Sequence, residues 1–154
     1  MVSVVTLVAH VFFATLAFGF AIALDFVLSA VAASRDPRAI RVAFRIAQRA
    51  GPMVGPLFGI AILLGFAVAL ERGESLLSPW LLVAYGLVVC GALIGILFNR
   101  TRAIRISEAA TASADEAPSP ALLAAIGSAR PVGAWCLIAL MVALIAVMYL
   151  KLPT

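Results

Sequence analysis

Four long runs of apolar residues determine the fold of this 154-residue chain. They cover residues 4–33, 52–70, 79–98 and 131–150. At about 1.5 Å of rise per residue, each run can reach across the ~30 Å hydrocarbon core of a bilayer. Each run must be helical, because no water in that core can pair with backbone amides and carbonyls. The sequence therefore predicts an all-α protein, a four-transmembrane-helix bundle that forms one integral membrane domain over residues 1–154.

The composition supports a membrane protein and argues against a soluble enzyme. The chain is 65% hydrophobic and 12% charged, whereas soluble domains are about half apolar and about a quarter charged. The spans and their connections use the whole length, so we expect no separate soluble module. The sequence shows no nucleophile with its base, no paired carboxylates and no phosphate-binding glycine loop. We therefore expect a protein that is not an enzyme.

The positive charges outside the runs indicate how the chain crosses the membrane. Nine arginines lie in the first and third connections, whereas Arg72 and Lys151 lie on the opposite side. The nine are Arg35, Arg38, Arg41, Arg45, Arg49, Arg100, Arg102, Arg105 and Arg130. Because Lys and Arg are enriched in cytoplasmic loops, we predict that both termini lie outside the cytoplasm, in a bacterial cytoplasmic (inner) membrane. Topology thus accounts for the net charge of +4, and no nucleic-acid partner is expected.

Three proline-containing pairs indicate where helices begin. They are Asp36-Pro37, Ser78-Pro79 and Ser119-Pro120. Proline is well tolerated at the first helical position, where its missing N–H would have no partner, and the preceding Asp or Ser can accept from first-turn amides. New helices are therefore predicted to begin at residues 37, 79 and 120.

The helix that begins at residue 37 is predicted to be amphipathic and cytoplasmic. One side carries four arginines within about 80° of arc, and the opposite side carries apolar residues. The arginines are Arg38, Arg41, Arg45 and Arg49, and the residues opposite are Ile40, Ala43, Phe44 and Ala47. This basic stripe would attract anionic lipid headgroups or an acidic protein partner. Gly51-Pro52 follows and predicts an interruption of the helix before the second span.

The second half of the chain repeats parts of this arrangement more weakly. Residues 119–129, followed by Pro131, resemble residues 37–50 with Gly51-Pro52, which suggests two duplicated helical hairpins as a hypothesis. The segment 107–120 is rich in Ala, Ser and Thr and contains two prolines. It is therefore predicted to be a loop and the segment most prone to disorder.

Glycines recur at intervals of four residues in two of the spans. They are Gly51, Gly55 and Gly59 near the second span, and Gly91 and Gly95 in the third. Small residues at this spacing form a strip where another helix backbone can approach closely. We expect these faces to pack helices, including those of a small homo-oligomer. A hinge formed with the neighbouring prolines is the alternative.

His10, the single histidine, lies about two turns inside the first span. An ionisable group at that depth needs a polar partner and is a candidate functional residue. If the spans are aligned, Tyr85 in the third and Met148 in the fourth reach a similar depth. The three residues suit either a hydrogen-bonded histidine or a cofactor site in which His10 is an axial ligand of haem b.

Asp25 is the one acid inside an apolar run. It lies 15 residues after His10, or about 22 Å further along the same helix. Near the inner interface it can extend toward water or pair with a cytoplasmic arginine. A proton or ion pathway from His10 to Asp25 is the alternative, although the sequence offers no intermediate groups between them.

Three short motifs stand out along the chain: His10 with Gly19, Leu77-Ser78-Pro79-Trp80, and Met148 with Lys151 and Pro153. Together they resemble a bacterial family of predicted integral membrane proteins, domain of unknown function 2269. Where that family often has a Trp and a second Gly after the histidine, this chain has Ala17 and Phe20. The resemblance implies a membrane fold. A more distant similarity to copper-resistance and haem-associated membrane proteins implies haem b or copper at His10.

Taken together, the sequence favours a small membrane component without enzymatic activity, in contact with the lipid bilayer. It would act as an accessory subunit of a larger membrane complex or as a homo-oligomer. Two alternatives remain open, a haem- or copper-binding protein that uses His10 and a proton or ion conductor that uses His10 and Asp25.

Overall fold

The structure is a computed structural model that describes residues 4–115, 117–127 and 131–150. Its helices are α1 (Val4–Ala33), α2 (Pro37–Ala50), α3 (Val54–Glu71), α4 (Pro79–Leu93), α5 (Thr101–Thr111), α6 (Pro120–Ile126) and α7 (Val132–Leu150). Every regular element in the described residues is helical, which confirms the all-α class. Arg130 and Lys151, used in the charge count, and Pro153 lie outside the described residues.

Four helical stretches are long and apolar enough to cross a membrane. They are Val4–Ala33, Pro37–Glu71, Pro79–Thr111 and Val132–Leu150. The prediction of four helices able to span a membrane is thus confirmed, and the second and third belong to longer rods. In the second rod a 3-10 turn, Gly51–Met53, joins α2 to α3 at the predicted interruption. In the third rod a π-helical segment, Ile94–Arg100, joins α4 to α5.

The third rod corrects one prediction made from composition. Residues 107–111, predicted to belong to a loop, are the last part of α5. Ile106 and Ala110 are 1% and 0% exposed and pack against α2 and α6. An apolar face at this spacing keeps the chain helical, and alanine favours helix in any case.

The spans pack antiparallel to their neighbours, with α1 against α3 and α7, and with α4 against α7. Their buried centre, called the bundle core here, contains Phe18, Ala84, Leu137, Leu140 and Leu144. Phe18 meets Phe58 of α3 edge to face, with ring centroids 4.9 Å apart. These contacts fix the relative depth of the spans.

A second hydrophobic core lies where the end of α1 meets α2, α5 and α6, and this unit is called the headpiece. Its core residues are Ala32, Ile40, Phe44, Ile106, Ala110, Leu122 and Ile126. Three of them, Ile40, Ile106 and Leu122, are fully buried, and each such side chain contributes about 1.5–3 kcal/mol relative to exposure. The apolar side of the predicted amphipathic helix therefore packs against protein.

Helices begin at Pro37, Pro79 and Pro120, as predicted. The carboxylate of Asp36 accepts from the amide of Arg38 at 2.8 Å, and the Ser119 hydroxyl accepts from the amide of Leu122 at 3.2 Å. Ser78 differs, because its hydroxyl donates to the carbonyl of Ser75 at 2.6 Å instead of capping α4. Two of the three predicted caps are thus confirmed.

The predicted glycine faces lie mostly in open space within one chain. A Cβ built on Gly51, Gly55, Gly59 or Gly95 would have no neighbour within 4 Å. Gly91 does face another helix, since a Cβ there would lie 3.1 Å from Cδ2 of Leu140. Packing of the other four glycines between chains stays a prediction.

Candidate functional site

The imidazole of His10 is held against a backbone carbonyl of α3. Its Nδ1 lies 2.8 Å from the carbonyl oxygen of Ala61. A carbonyl can only accept, so Nδ1 donates the proton of this contact, and in the tautomer that fits it the lone pair lies on Nε2. The partner expected for a histidine at this depth is therefore present, and it belongs to a neighbouring helix.

Gly65 makes this contact sterically feasible. A Cβ at position 65 would lie 2.9 Å from Cε1 and 3.2 Å from Nδ1 of His10. Both distances are too short for the ring to stay where it is. Gly65 follows Ala61 by one helical turn, so its lack of a side chain opens the Ala61 carbonyl to a side chain from α1. Gly55 and Gly59, two of the glycines predicted to pack helices, lie on a different face of this rod from Gly65.

Tyr85 and Met148, the other two residues of the predicted cofactor site, differ in their burial. The ring of Tyr85 lies 5.5 Å from that of Phe66, next to the turn of α3 that His10 contacts. The Tyr85 hydroxyl is buried and has no hydrogen-bond partner among the described residues. Met148 is 43% exposed at the surface of the bundle. The cofactor site formed by His10, Tyr85 and Met148 therefore stays a prediction.

Asp25 forms the second polar contact between spans. Its Oδ2 accepts a hydrogen bond from the amide of Ala134 at 2.8 Å. Ala134 lies in the first turn of α7, where backbone amides have no partner within their own helix. Asp25 of α1 therefore acts as a helix cap supplied by another helix, and its negative charge lies at the positive end of α7. The partner of Asp25 in the described residues is thus a backbone amide and not the expected arginine.

Further polar side chains gather around this cap. The amide of Asn99, in the π-helical segment, lies so close to Gly133 that a Cβ there would be 2.6 Å from Cγ of Asn99. One turn beyond Asp25 on α1, the hydroxyl of the buried Ser29 lies 3.4 Å from Nη2 of Arg102. The four side chains and the first turn of α7 are called the boundary cluster.

Sequence reasoning found one member of the boundary cluster and missed three. Asn99 could have been predicted as a member from the sequence, because a side-chain amide at the end of an apolar run often bonds to a neighbouring helix. The π-helical segment that carries it could not be read from residue types. π-helical turns often occur at functional sites, so this segment adds weight to the cluster as a candidate.

The two polar contacts are separate within one chain. His10 contacts α3 and Asp25 contacts α7, and their 15-residue separation on α1 corresponds to about 22 Å. The bundle core packs between these levels, with Phe18 of α1 at its centre. The conductor hypothesis is untested, but the described packing between the two groups is apolar.

The basic stripe of α2 divides into two pairs. Arg41 donates to the carbonyls of Ala110 and Ser113 at 3.0 and 3.1 Å and also pairs with Asp115. Arg38 pairs with the same carboxylate at 3.2 Å. The second pair, Arg45 and Arg49, is exposed and has no ion-pair or hydrogen-bond partner among the described residues. Arg38 and Arg41 thus join α2 to the end of α5 and the residues after it, whereas Arg45 and Arg49 face outward.

A metal site would need several ligands close together. Among residues 4–115, 117–127 and 131–150, no three His, Cys, Asp or Glu side chains come together as a metal site would need. His10 could supply one ligand through Nε2.

The model of one protein family matches residues 4–152, and that family is described as predicted integral membrane protein (DUF2269). No curated protein and no solved structure matches the chain. The matched range contains the four spans, the headpiece, the His10 contact and the boundary cluster. All the geometry above therefore falls within the region that defines the family.

Proposed function

Since the chain belongs to this family of predicted integral membrane proteins, we propose that it is a non-enzymatic membrane component. It acts as an accessory subunit of a larger membrane complex or as a small homo-oligomer. It lies in the bacterial cytoplasmic membrane, with both termini outside and the headpiece in the cytoplasm. The spans hold the headpiece at the membrane surface.

One observation carries this proposal. His10 and Asp25, both inside the first span, each bond to the backbone of another helix. Such bonds satisfy polar groups that lipid cannot, and they hold α1 to α3 and to α7. Both groups thus have a role in assembly of the bundle, and neither needs a substrate to explain its position.

The proposed orientation is supported by the arginines at the headpiece end, and single-cysteine labelling tests it. The native cysteines are replaced by Cys90→Ala and Cys136→Ala, and Ser34→Cys or Ser75→Cys then places one thiol at either end of the bundle. Both serines are exposed. A membrane-impermeant maleimide should label position 75 in intact cells and position 34 only after permeabilisation. The reverse pattern would overturn the orientation.

Purification in a mild detergent tests the accessory role. The chain should elute as a complex larger than one chain with its micelle, with either a copurifying membrane protein or further copies of itself. Gly55→Leu and Gly59→Leu, on faces that are open within one chain, should reduce such a complex to the single chain. A monomer without partners in several mild detergents and in nanodiscs would refute the proposal.

A haem- or copper-binding protein is the second candidate. The observation that favours it is the Ala61 carbonyl on Nδ1 of His10, which leaves Nε2 as a lone-pair donor. Ligating histidines often donate their other N–H to such a carbonyl. Because one chain offers one histidine, a symmetric pair would need two chains. A Soret band in the purified protein that is lost in His10→Ala would support this candidate, and a colourless, copper-free preparation from haem- and copper-replete cells would remove it.

A further inference from the structure

The outward pair of arginines on α2 lies beside exposed apolar side chains. Val42 and Ile46 are 58% and 61% exposed. With Arg45 and Arg49 they occupy about 100° of one side of the helix, at 100° per residue. The opposite side, with Ile40 and Phe44, is buried in the headpiece core. α2 therefore has a second, mixed apolar and basic face, called the docking face.

The position of the docking face along its rod indicates what it meets. α2 continues through the 3-10 turn into the span that begins near residue 52. At 1.5 Å per residue, Arg49 and Arg45 lie about 5 and 10 Å before that point, and Arg41 and Arg38 about 16 and 21 Å. The headgroup layer on each side of a bilayer is about 5–8 Å thick. The outward pair can thus reach headgroups with their long side chains, whereas the Asp115-bound pair lies beyond them.

From this placement we propose that the docking face binds the phosphate groups of anionic phospholipids in the leaflet at the headpiece end. Arg45 and Arg49 pair with phosphates, since guanidinium groups match phosphate oxygens in a two-pronged geometry. Ile46, about 9 Å before the span, is the apolar side chain of the docking face that lies nearest the headgroups. The inference depends on the four spans and on neither the orientation nor the accessory role.

Native mass spectrometry of the whole chain in detergent tests the proposal by counting bound phosphatidylglycerol and phosphatidylcholine. The test variant is Arg45→Gln/Arg49→Gln, and the matched control Arg35→Gln/Arg38→Gln removes the same charge further from the bilayer. Phosphatidylglycerol affinity should fall about fivefold per arginine removed, which corresponds to about 1 kcal/mol each. The control should change affinity by less than about twofold, because its arginines lie beyond the ~10 Å range of unscreened attraction.

Three results would overturn the proposal. Equal losses in the test and control variants would mean that net charge alone attracts the lipid. Equal binding of phosphatidylcholine and phosphatidylglycerol by the unmodified chain would mean that phosphate charge is not recognised. Retained phosphatidylglycerol binding in the test variant would place the lipid elsewhere. An acidic protein partner would remain as the occupant of the face in the second and third cases.

Spin labels supply a measurement that needs no change to the arginines. In the Cys90→Ala/Cys136→Ala background, one label is attached at Ile46→Cys and a control label at Leu123→Cys, which is 40% exposed on α6. In vesicles with phosphatidylglycerol, the label at 46 should collide at least twice as often with lipid-soluble oxygen as the label at 123. Equal oxygen collision rates at the two positions would show that the docking face is in water.

Discussion

Replacement of Asp25 tests whether α1 caps α7. In Asp25→Ala the amide of Ala134 loses the acceptor that now lies 2.8 Å away. A buried donor left without a partner costs about 1–3 kcal/mol, and the lost charge at the positive end of the helix costs about 0.3–1 kcal/mol. We expect a total loss of about 2 kcal/mol, which is roughly a 30-fold change in the ratio of folded to unfolded protein.

Asp25→Asn separates the two contributions. Asparagine keeps a side-chain oxygen that can accept from the same amide but carries no charge. Its cost should therefore be limited to the charge contribution of about 0.3–1 kcal/mol. Glu108→Gln, on the exposed side of α5, serves as the charge control and should cost less than about 0.5 kcal/mol.

Equilibrium unfolding with sodium dodecyl sulfate in mixed micelles measures these changes. Trp135 is a local reporter, since its ring lies 5.8 Å from that of Phe26 and its residue follows Ala134. Trp80→Phe removes the other tryptophan signal. The capping argument is refuted if Asp25→Ala unfolds at the same detergent fraction as the parent. It also fails if Asp25→Asn is as destabilised as Asp25→Ala, because the hydrogen bond would then contribute nothing.

The remaining predictions concern His10, the headpiece and ion movement. Gly65→Ala should cost about 1–3 kcal/mol in the same unfolding assay because of its contact with His10, whereas Gly59→Ala, with open space around it, should change stability by less than about 0.5 kcal/mol. The Gly65→Ala cost should fall when it is combined with His10→Ala, and simple additivity would contradict a direct contact. Arg41→Ala should speed proteolysis after α5, because two carbonyls lose their donor there, and unchanged cleavage would mean that these hydrogen bonds do not hold the segment after α5. If the chain conducts protons, liposome flux should be pH-dependent and lost in Asp25→Asn, and equal flux in that variant would remove the conductor hypothesis.

Much of the fold was predictable because lipid imposes one secondary structure and a minimum length. The apolar runs gave the spans, and the proline pairs gave three helix starts. The end of the third rod was not predictable from composition. Its last turns stay helical because Ile106 and Ala110 pack against α2 and α6, which are distant in the sequence.

The candidate site was predictable in its residues but not in its contacts. The apolar surroundings of His10 and Asp25 marked both as needing partners. Their partners are backbone groups 51 and 109 residues away, and a backbone group has no residue type that a pattern could reveal. The roles of Gly65 and Gly133 could not be predicted for a related reason, because the side chains that occupy the space beside them come from other helices.

The two rods give the headpiece a mechanical connection to the bilayer. α2 with α3, and α4 with α5, each form one long helical rod that runs from the headpiece into a span. Each rod has one irregular segment, the 3-10 turn Gly51–Met53 in one and the π-helical Ile94–Arg100 in the other. A force on the headpiece would therefore be transmitted along the rods into the spans, and bending would concentrate at these two segments.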